Sequence, residues 1–332
     1  MRLLVTGGMG FIGSNFIRYM LGKYSDIEII NIDKLSYGAN PANLKDMEDD
    51  RRYRFIKGDI CDFELIKSLA EDVDVIVNIA AETHVDRSIS NPRAFLESNT
   101  IGAFNLLEVS RTRNLTFLQV STDEIYGSAP EGSSFNEEDT LNPSSPYSAS
   151  KASGDMFVRA YYKTYGLRAF ITRSTNNFGP FQFPEKLIPK TILRALLDLK
   201  VPIYGSGKQV RDWIYVLDHC EALDLVLRRG SSGEIYNISG SNELENIQVV
   251  EMILDIISKP KSSIEHVDDR PGHDYRYSLD STRIRKELGW RPRHLFKDAL
   301  EETVRWYINN KWWWHPLTDE KILNPTPWKL HW

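Results

Sequence analysis

The 332-residue chain has little cysteine, no long apolar run and no excess of positive charge, and each absence removes a class of function. Its two cysteines, Cys61 and Cys220, lie far apart without metal-ligand spacing. That excludes a disulfide framework and points to two reduced thiols, with no metal site expected. No apolar stretch approaches the roughly 18 residues that span a bilayer, and Arg2-Leu3-Leu4-Val5-Thr6 leads at once into glycines without an apolar leader. The expectation is a cytoplasmic protein with neither signal peptide nor membrane contact. A formal net charge of −5 leaves no broad basic field for nucleic acid. Internal repeats and low-complexity tracts are also missing.

What is present is an alternation of strand-like and helix-period segments. Apolar runs at 3–6, 27–33, 53–57, 73–79, 115–121 and 167–173 read as strands. Several, such as Val75-Ile76-Val77 and Ala169-Phe170-Ile171, are apolar without alternation, as in a parallel sheet covered on both faces. Helical spacing between 92 and 113, and between 146 and 165 after a proline suited to a first turn, supplies the cover. The fold class is therefore α/β: a Rossmann-type, doubly wound parallel sheet with a smaller carboxy-terminal α/β substrate domain. Past Gly179-Pro180 the rhythm loosens into a helix near 188–199 and a short strand at 201–204, and the run at 235–238 reads as a return to the sheet. The division expected is 1–180 with roughly 213–240 for the nucleotide domain, and 181–212 with 241–332 for the other. The tryptophan-rich stretch at 312–314 is assigned to packing, since aromatic clusters mostly bury area.

Glycines at 7, 10 and 13 stand between the first strand and the first helical run. Such spacing permits a tight turn and a close approach of backbone to a pyrophosphate, which the free N–H groups of the helix start then meet. An ordinary glycine-rich turn would look the same, and the order is GxxGxxG where the dinucleotide fingerprint has GxGxxG. The second strand strengthens the reading. It ends at Asp33, twenty residues after Gly13, where a carboxylate accepts from ribose hydroxyls and repels a 2′-phosphate, favouring NAD over NADP. Lys34 follows and softens that exclusion. Asp59-Ile60 and Ala80-Ala81 close the third and fourth strands, at the carboxyl ends where open α/β sheets bind ligands.

Tyr147 and Lys151 stand at i, i+4 on one helix face. A nearby ammonium stabilises a phenolate, so this tyrosine can take a hydroxyl proton as hydride leaves for NAD. Ser121-Thr122-Asp123-Glu124 ends the fifth strand. Simple alcohol oxidation needs only a hydroxyl and a phenolate, whereas loss of water also needs a base for a carbon-bound proton and an acid for the departing hydroxyl. Asp123 and Glu124 could divide those tasks.

The segments TGGMGFIGS, AAETHVDRSI, STDEIYG, YSASK, STNNFGPFQFPEKLIP, VPIYGSGKQVRDWIYV and DRPGHD cover nearly the whole chain. In them the chain resembles the extended short-chain dehydrogenase/reductase superfamily and, within it, the dTDP-glucose 4,6-dehydratases. The resemblance implies a tightly bound NAD that is regenerated in each turnover, and a homodimer joined by helices at 92–113 and 146–165. It implies that Tyr147, helped by Thr122 and Lys151, starts oxidation at C4, that Glu124 takes the C5 proton while Asp123 protonates the departing 6-hydroxyl, and that hydride returns to C6. To the cofactor it adds Phe11, Ile12, Leu35, Ser36, Thr83, Ser98 and Asn177. To a sugar nucleotide it gives His84, Asn176, Glu185, Lys186, Leu187, Arg211, Asn246, Arg270, His273 and Asp274, with Pro202, Ile203 and Tyr204 beside the base. Arg211 and Arg270 suit a diphosphate, because guanidinium groups match phosphate oxygens. Thr83 stands where the family has serine, Ser98 where it has threonine, Ser174-Thr175 where it has Cys-Ser, and Tyr37-Gly38-Ala39-Asn40 transposes its Tyr-Ala-Gly-Asn. These changes leave the chemistry and bear on substrate preference. A UDP-glucose or other nucleotide-glucose 4,6-dehydratase would share all these features. A nucleotide-sugar 4-epimerase would have no use for the acid–base pair, and a non-catalytic NAD-binding protein would have no use for any of the five reactive residues.

Overall fold

The computed structural model describes residues 1–330. Among the described residues twelve strands run in chain order: β1 (Arg2–Thr6), β2 (Glu28–Asp33), β3 (Tyr53–Lys57), β4 (Val75–Asn78), β5 (Thr116–Thr122), β6 (Ala169–Ser174), β7 (Asn176–Phe178), β8 (Val201–Tyr204), β9 (Val210–Tyr215), β10 (Ile235–Ile238), β11 (Glu243–Glu245) and β12 (Ile264–Val267). Seven form one sheet in the order β10-β6-β5-β4-β1-β2-β3. Every pairing in it is parallel. The strand order reverses between β1 and β4, and right-handed crossovers leave a crevice at that point, beyond the strands' carboxyl ends.

Non-alternating strands need helices on both faces, and the buried apolar residues divide accordingly. Leu3, Val5, Val77 and Leu118 pack with Phe16, Ile17, Leu223 and Val226 on one side. Leu4, Ile76, Phe117 and Ile171 pack with Leu106, Leu107, Val158 and Tyr161 on the other. The run at 235–238 does return to the large sheet, pairing with β6 in parallel. Residues 146–165 form one unbroken helix, opened by Ser145 and Ser148 in a reciprocal capping box and closed by Gly166 in the left-handed conformation.

The expected single helix at 92–113 is a composite. α-Helices Pro92–Leu96 and Ala103–Arg113 flank a π-helical stretch, Glu97–Gly102. The wider turn moves Ser98 and Asn99 inward, where Asn99 exchanges hydrogen bonds with the backbone of Glu82 (2.9 and 3.1 Å) and donates to Ser150 Oγ (2.9 Å). Apolar periodicity carries no sign of such a stretch, because the helix continues on either side.

The helix expected near 188–199 spans Leu187–Leu196, and the strand at 201–204 is β8, paired in parallel with β12. Short strands β11, β9 and β7 make a separate sheet. Its core joins Phe178, Ile188, Ile192 and Val249 to Trp313 and Trp314. The two tryptophans are buried with their indole N–H groups satisfied, Trp313 by Asn43 Oδ1 and Trp314 by Tyr307 O, both at 2.7 Å. Among the described residues no helix is long and apolar enough to cross a membrane, and no His, Cys, Asp and Glu cluster is arranged to hold a metal.

Candidate active site

The crevice over the switch point holds two adjoining cavities. The first, about 260 Å³, is lined at one end by Gly7, Gly10, Phe11, Ile12, Gly13, Asp33, Lys34, Ser36, Asp59 and Ile60, and at the other by Thr122, Asp123, Glu124 and Tyr147. Ala80, Ala81, Thr83, Ser98 and Asn177 lie along it. The glycines have separate reasons. Gly7 has φ +72° and a Cβ there would sit 2.6 Å from Ala80 Cα, and a Cβ on Gly13 would meet Gly7 O at 2.3 Å. A Cβ on Gly10 would meet only Gly7 O, at 3.2 Å. Gly7 and Gly13 therefore close the turn, while Gly10 caps the helix Phe11–Lys23 with no side chain over its free N–H groups. An anion fits there, at the positive end of the helix dipole.

Asp33 is buried and both oxygens already accept backbone N–H groups, Oδ2 from Met9 (3.0 Å) and Oδ1 from Leu35 (2.8 Å). Burial raises its pKa against those two bonds. Lone pairs remain for ribose hydroxyls. Lys34 is turned toward Ser98 Oγ (2.7 Å), Glu82 (3.5 Å) and Asp59 (3.8 Å), so its charge is already answered by acidic neighbours. The donor set fits a dinucleotide with free ribose hydroxyls. Leu35 is the one cofactor candidate not on the wall. Its φ of 58° presents its N–H to Asp33 and its side chain packs against the core.

The reactive carboxylates follow directly on β5. Thr122 caps the following short 3-10 turn, Asp123–Tyr126, accepting from Glu124 N (3.3 Å) and donating to Asp123 Oδ1 (3.1 Å). Burial first, and then the neighbouring Glu124, push the Asp123 carboxyl well above the usual carboxylate range. Glu124 is also raised by burial, but Arg270, Lys186 and Arg211 oppose the shift. Both carboxyls are thus raised, Asp123 with Glu124 adding to the effect of burial and Glu124 with three cations opposing it, a difference in surroundings of the kind that acid–base division uses.

Tyr147 is buried beside them. Its phenol is raised by burial and then by Glu124, against a hydrogen bond with Thr122. Lys151 lies behind the cavity wall and donates to Val120 O (2.7 Å) rather than to the phenol. Burial lowers it to about 8, with Asp155 opposing. Asp155 in turn holds Arg173 Nε (3.0 Å), and Arg173 donates to Tyr126 OH (2.6 Å), fastening the acid–base turn to β6.

The second cavity opens from the first across Thr83, Glu124, Asn176, Glu185 and Lys186, which line both. Its remaining wall includes His84, Leu187, Pro202, Ile203, Tyr204, Arg211, Asn246, Arg270 and His273. Arg211 is buried, lies 4.2 Å from the Tyr277 ring centre and reaches only carbonyl oxygens, including that of Asp274 (2.9 Å). Arg270 pairs with Asp86 at 2.8 Å. Buried Oδ1 atoms of Asn176 and Asn246 have no partner, which suits a polar ligand. Asp274 is not on the wall, because its carboxylate is taken by Ser144 and by Tyr277 OH. Asp86, Lys190 and Tyr277 line this cavity, and Tyr37, Gln182 and Phe183 the first, without having been singled out. Asp86 lies inside the AAETHVDRSI segment, so only its spatial neighbours were missing.

A sequence model of the GDP-mannose 4,6 dehydratase family matches residues 4–303. The chain belongs to that family. Within it, a dTDP-glucose 4,6-dehydratase of Streptomyces niveus is 48% identical over 322 residues, 96% of each chain. An Escherichia coli dTDP-glucose 4,6-dehydratase is 44% identical over 351 residues, covering 96% of this chain and 97% of its own. The crystal structure of DesIV, the dTDP-glucose 4,6-dehydratase of Streptomyces venezuelae, solved with NAD bound, matches with a TM-score of 0.94 at 48% identity, over 96% of this chain and 100% of that one. The family fold extends further: a UDP-glucose 4-epimerase of Thermotoga maritima matches with a TM-score of 0.86 at 28% identity, over 93% of this chain and 99% of its own.

Proposed function

We propose that the chain is an NAD-dependent hydro-lyase that converts dTDP-glucose to dTDP-4-keto-6-deoxyglucose. The carrying observation is the pair Asp123 and Glu124 at the end of β5, set apart in acidity and adjoining Tyr147 where the two cavities meet. Bound NAD supplies a hydride acceptor for C4 and a hydride donor for C6. Tyr147, beside Thr122 on the cavity wall, takes the 4-hydroxyl proton, and Lys151 stands one helical turn behind it. The resulting ketone acidifies C5–H, which Glu124 removes while Asp123 protonates the departing 6-hydroxyl. Glu124 then returns its proton to C5. Arg211 and Arg270 hold the diphosphate in the second cavity, and Pro202, Ile203 and Tyr204 border the base.

An epimerase needs no acid to expel water, so the same site argues against that reading. UDP-glucose is the second substrate to test, since it differs only in its base. Protein purified without added NAD is expected to convert dTDP-glucose to a product lighter by one water, read by mass spectrometry. Preference for UDP-glucose would transfer the assignment to that substrate, and inertness toward both with NAD supplied would sink it.

The nucleotide domain is assigned to 1–180 with roughly 213–240, the sugar-nucleotide domain to the remainder, and the cytoplasm is the proposed compartment. A homodimer is proposed through the composite helix and the helix Pro146–Tyr165, where Leu96, Ile101, Phe104, Met156 and Phe157 form an exposed apolar face. Faces of this kind on a stable fold mark association surfaces. Phe104→Glu is expected to shift the sedimentation of a dimeric wild type toward monomer, and a monomeric wild type would refute the dimer.

A further inference from the structure

The chain does not end at its buried tryptophans. Residues 319–330 run back across the molecule and touch three walls of the second cavity. Leu323 O accepts from Arg194 Nη1 (2.5 Å) and Asn324 O from Lys190 Nζ (3.1 Å), both cations being on the helix Leu187–Leu196. The turn Pro327–Lys329 packs on the helix Val85–Ser90, and Lys329 Nζ reaches Asp268 Oδ2 (2.5 Å), just past β12. Trp328 then lies against Tyr204, with ring centres 4.5 Å apart and planes at 73°.

Tyr204 is fixed at three points. Its hydroxyl donates to Asp86 Oδ2 (3.2 Å), its ring meets His273 edgewise (6.3 Å, 68°), and Trp328 meets it at closer range. Asp86 also holds Arg270 (2.8 Å), so one buried carboxylate ties the tyrosine to a guanidinium of the same cavity. Lys190 belongs to the same construction: it is buried in the cavity wall, and the carbonyl of Asn324 is the acceptor for its ammonium. A buried ammonium left without an acceptor is costly, so this contact favours the closed course of the segment.

We propose that Trp328 is a positioning residue for Tyr204, and that the segment carrying it forms the outer wall of the site for the nucleotide's planar base. This rests on the sugar-nucleotide reading above. A rigidly held aromatic ring binds a flat heterocycle without paying the ordering cost of a mobile one. Tyr204 borders only the second cavity, and Tyr147 and Asp123 only the first. Loosening Tyr204 therefore weakens binding and leaves the chemical steps in place.

The test compares full-length wild type, Trp328→Ala and Trp328→Phe by calorimetric titration with dTDP and by steady-state kinetics with dTDP-glucose. The alanine variant is expected to weaken dTDP and raise KM by about tenfold, the scale of one aromatic contact. Its kcat should stay within about twofold of wild type, and Phe should restore most of the affinity. Unchanged dTDP affinity in Trp328→Ala overturns the proposal, as does a joint loss of affinity and kcat that Phe does not rescue. If the alanine variant is insoluble, Trp328→Leu makes the same comparison. Wild type that binds dTDP yet leaves dTDP-glucose intact defeats the dehydratase reading alone, because the titrations still decide the role of Trp328.

Discussion

Tyr147→Phe is expected to remove detectable oxidation of dTDP-glucose, lowering the first half-reaction by about 10³-fold or more, within the range of a lost general base. The phenol oxygen is the group placed to take the 4-hydroxyl proton, and the substitution deletes that oxygen while leaving the ring against Phe95 (6.2 Å between centres). The fold should therefore survive. The reading is single-turnover absorbance of the reduced nicotinamide, and a variant that forms it at the wild-type rate would sink the assignment of Tyr147. The phenol sits above its ordinary pKa, driven by burial and by Glu124, and Lys151 is engaged with Val120 O.

Asp123→Asn should separate the steps. An amide keeps the shape but cannot donate an acidic proton to the leaving hydroxyl, so elimination is expected to slow about 10²-fold or more while oxidation at C4 continues. Reduced nicotinamide should then accumulate in a single turnover, and loss of water should lag behind it. Equal slowing of both events would show that Asp123 serves the geometry of the turn rather than proton transfer. Asp123 suits the acid role because burial and the neighbouring Glu124 raise its carboxyl well above the usual carboxylate range, whereas around Glu124 three cations oppose the rise that burial causes.

Much of the scaffold was legible because it depends on short-range pattern. Non-alternating apolar runs announced two-sided cover, and the large sheet has helices on both faces. Helix Pro146–Tyr165 was expected over these residues from its proline and apolar spacing, and Gly166 in the left-handed conformation closes it. The π-helical stretch Glu97–Gly102 was not legible, since one wider turn leaves apolar spacing intact on both sides. Strand β9 was missed as a strand because its buried faces belong to a small sheet whose partners, β7 and β11, are too short to read as strands.

At the site, the glycine loop, Asp33, the Thr122-Asp123-Glu124 run and the Tyr147-Lys151 pair were proposed from residue types and their spacing along one segment. Each of these signals is local, carried by a single turn or a single helix face. The tertiary structure alone decided which side chains meet across segments: Lys34 on Glu82 and Asp59, Asp86 bridging Tyr204 and Arg270, Asp155 and Arg173 bracing the acid–base turn, and Trp328 against Tyr204. It also set Asp123 and Glu124 apart, because an acidity depends on burial and on charges brought near by folding. Residue types and local spacing carry the chemistry of the chain, and folding poises those groups, since electrostatics act through space and not along the chain.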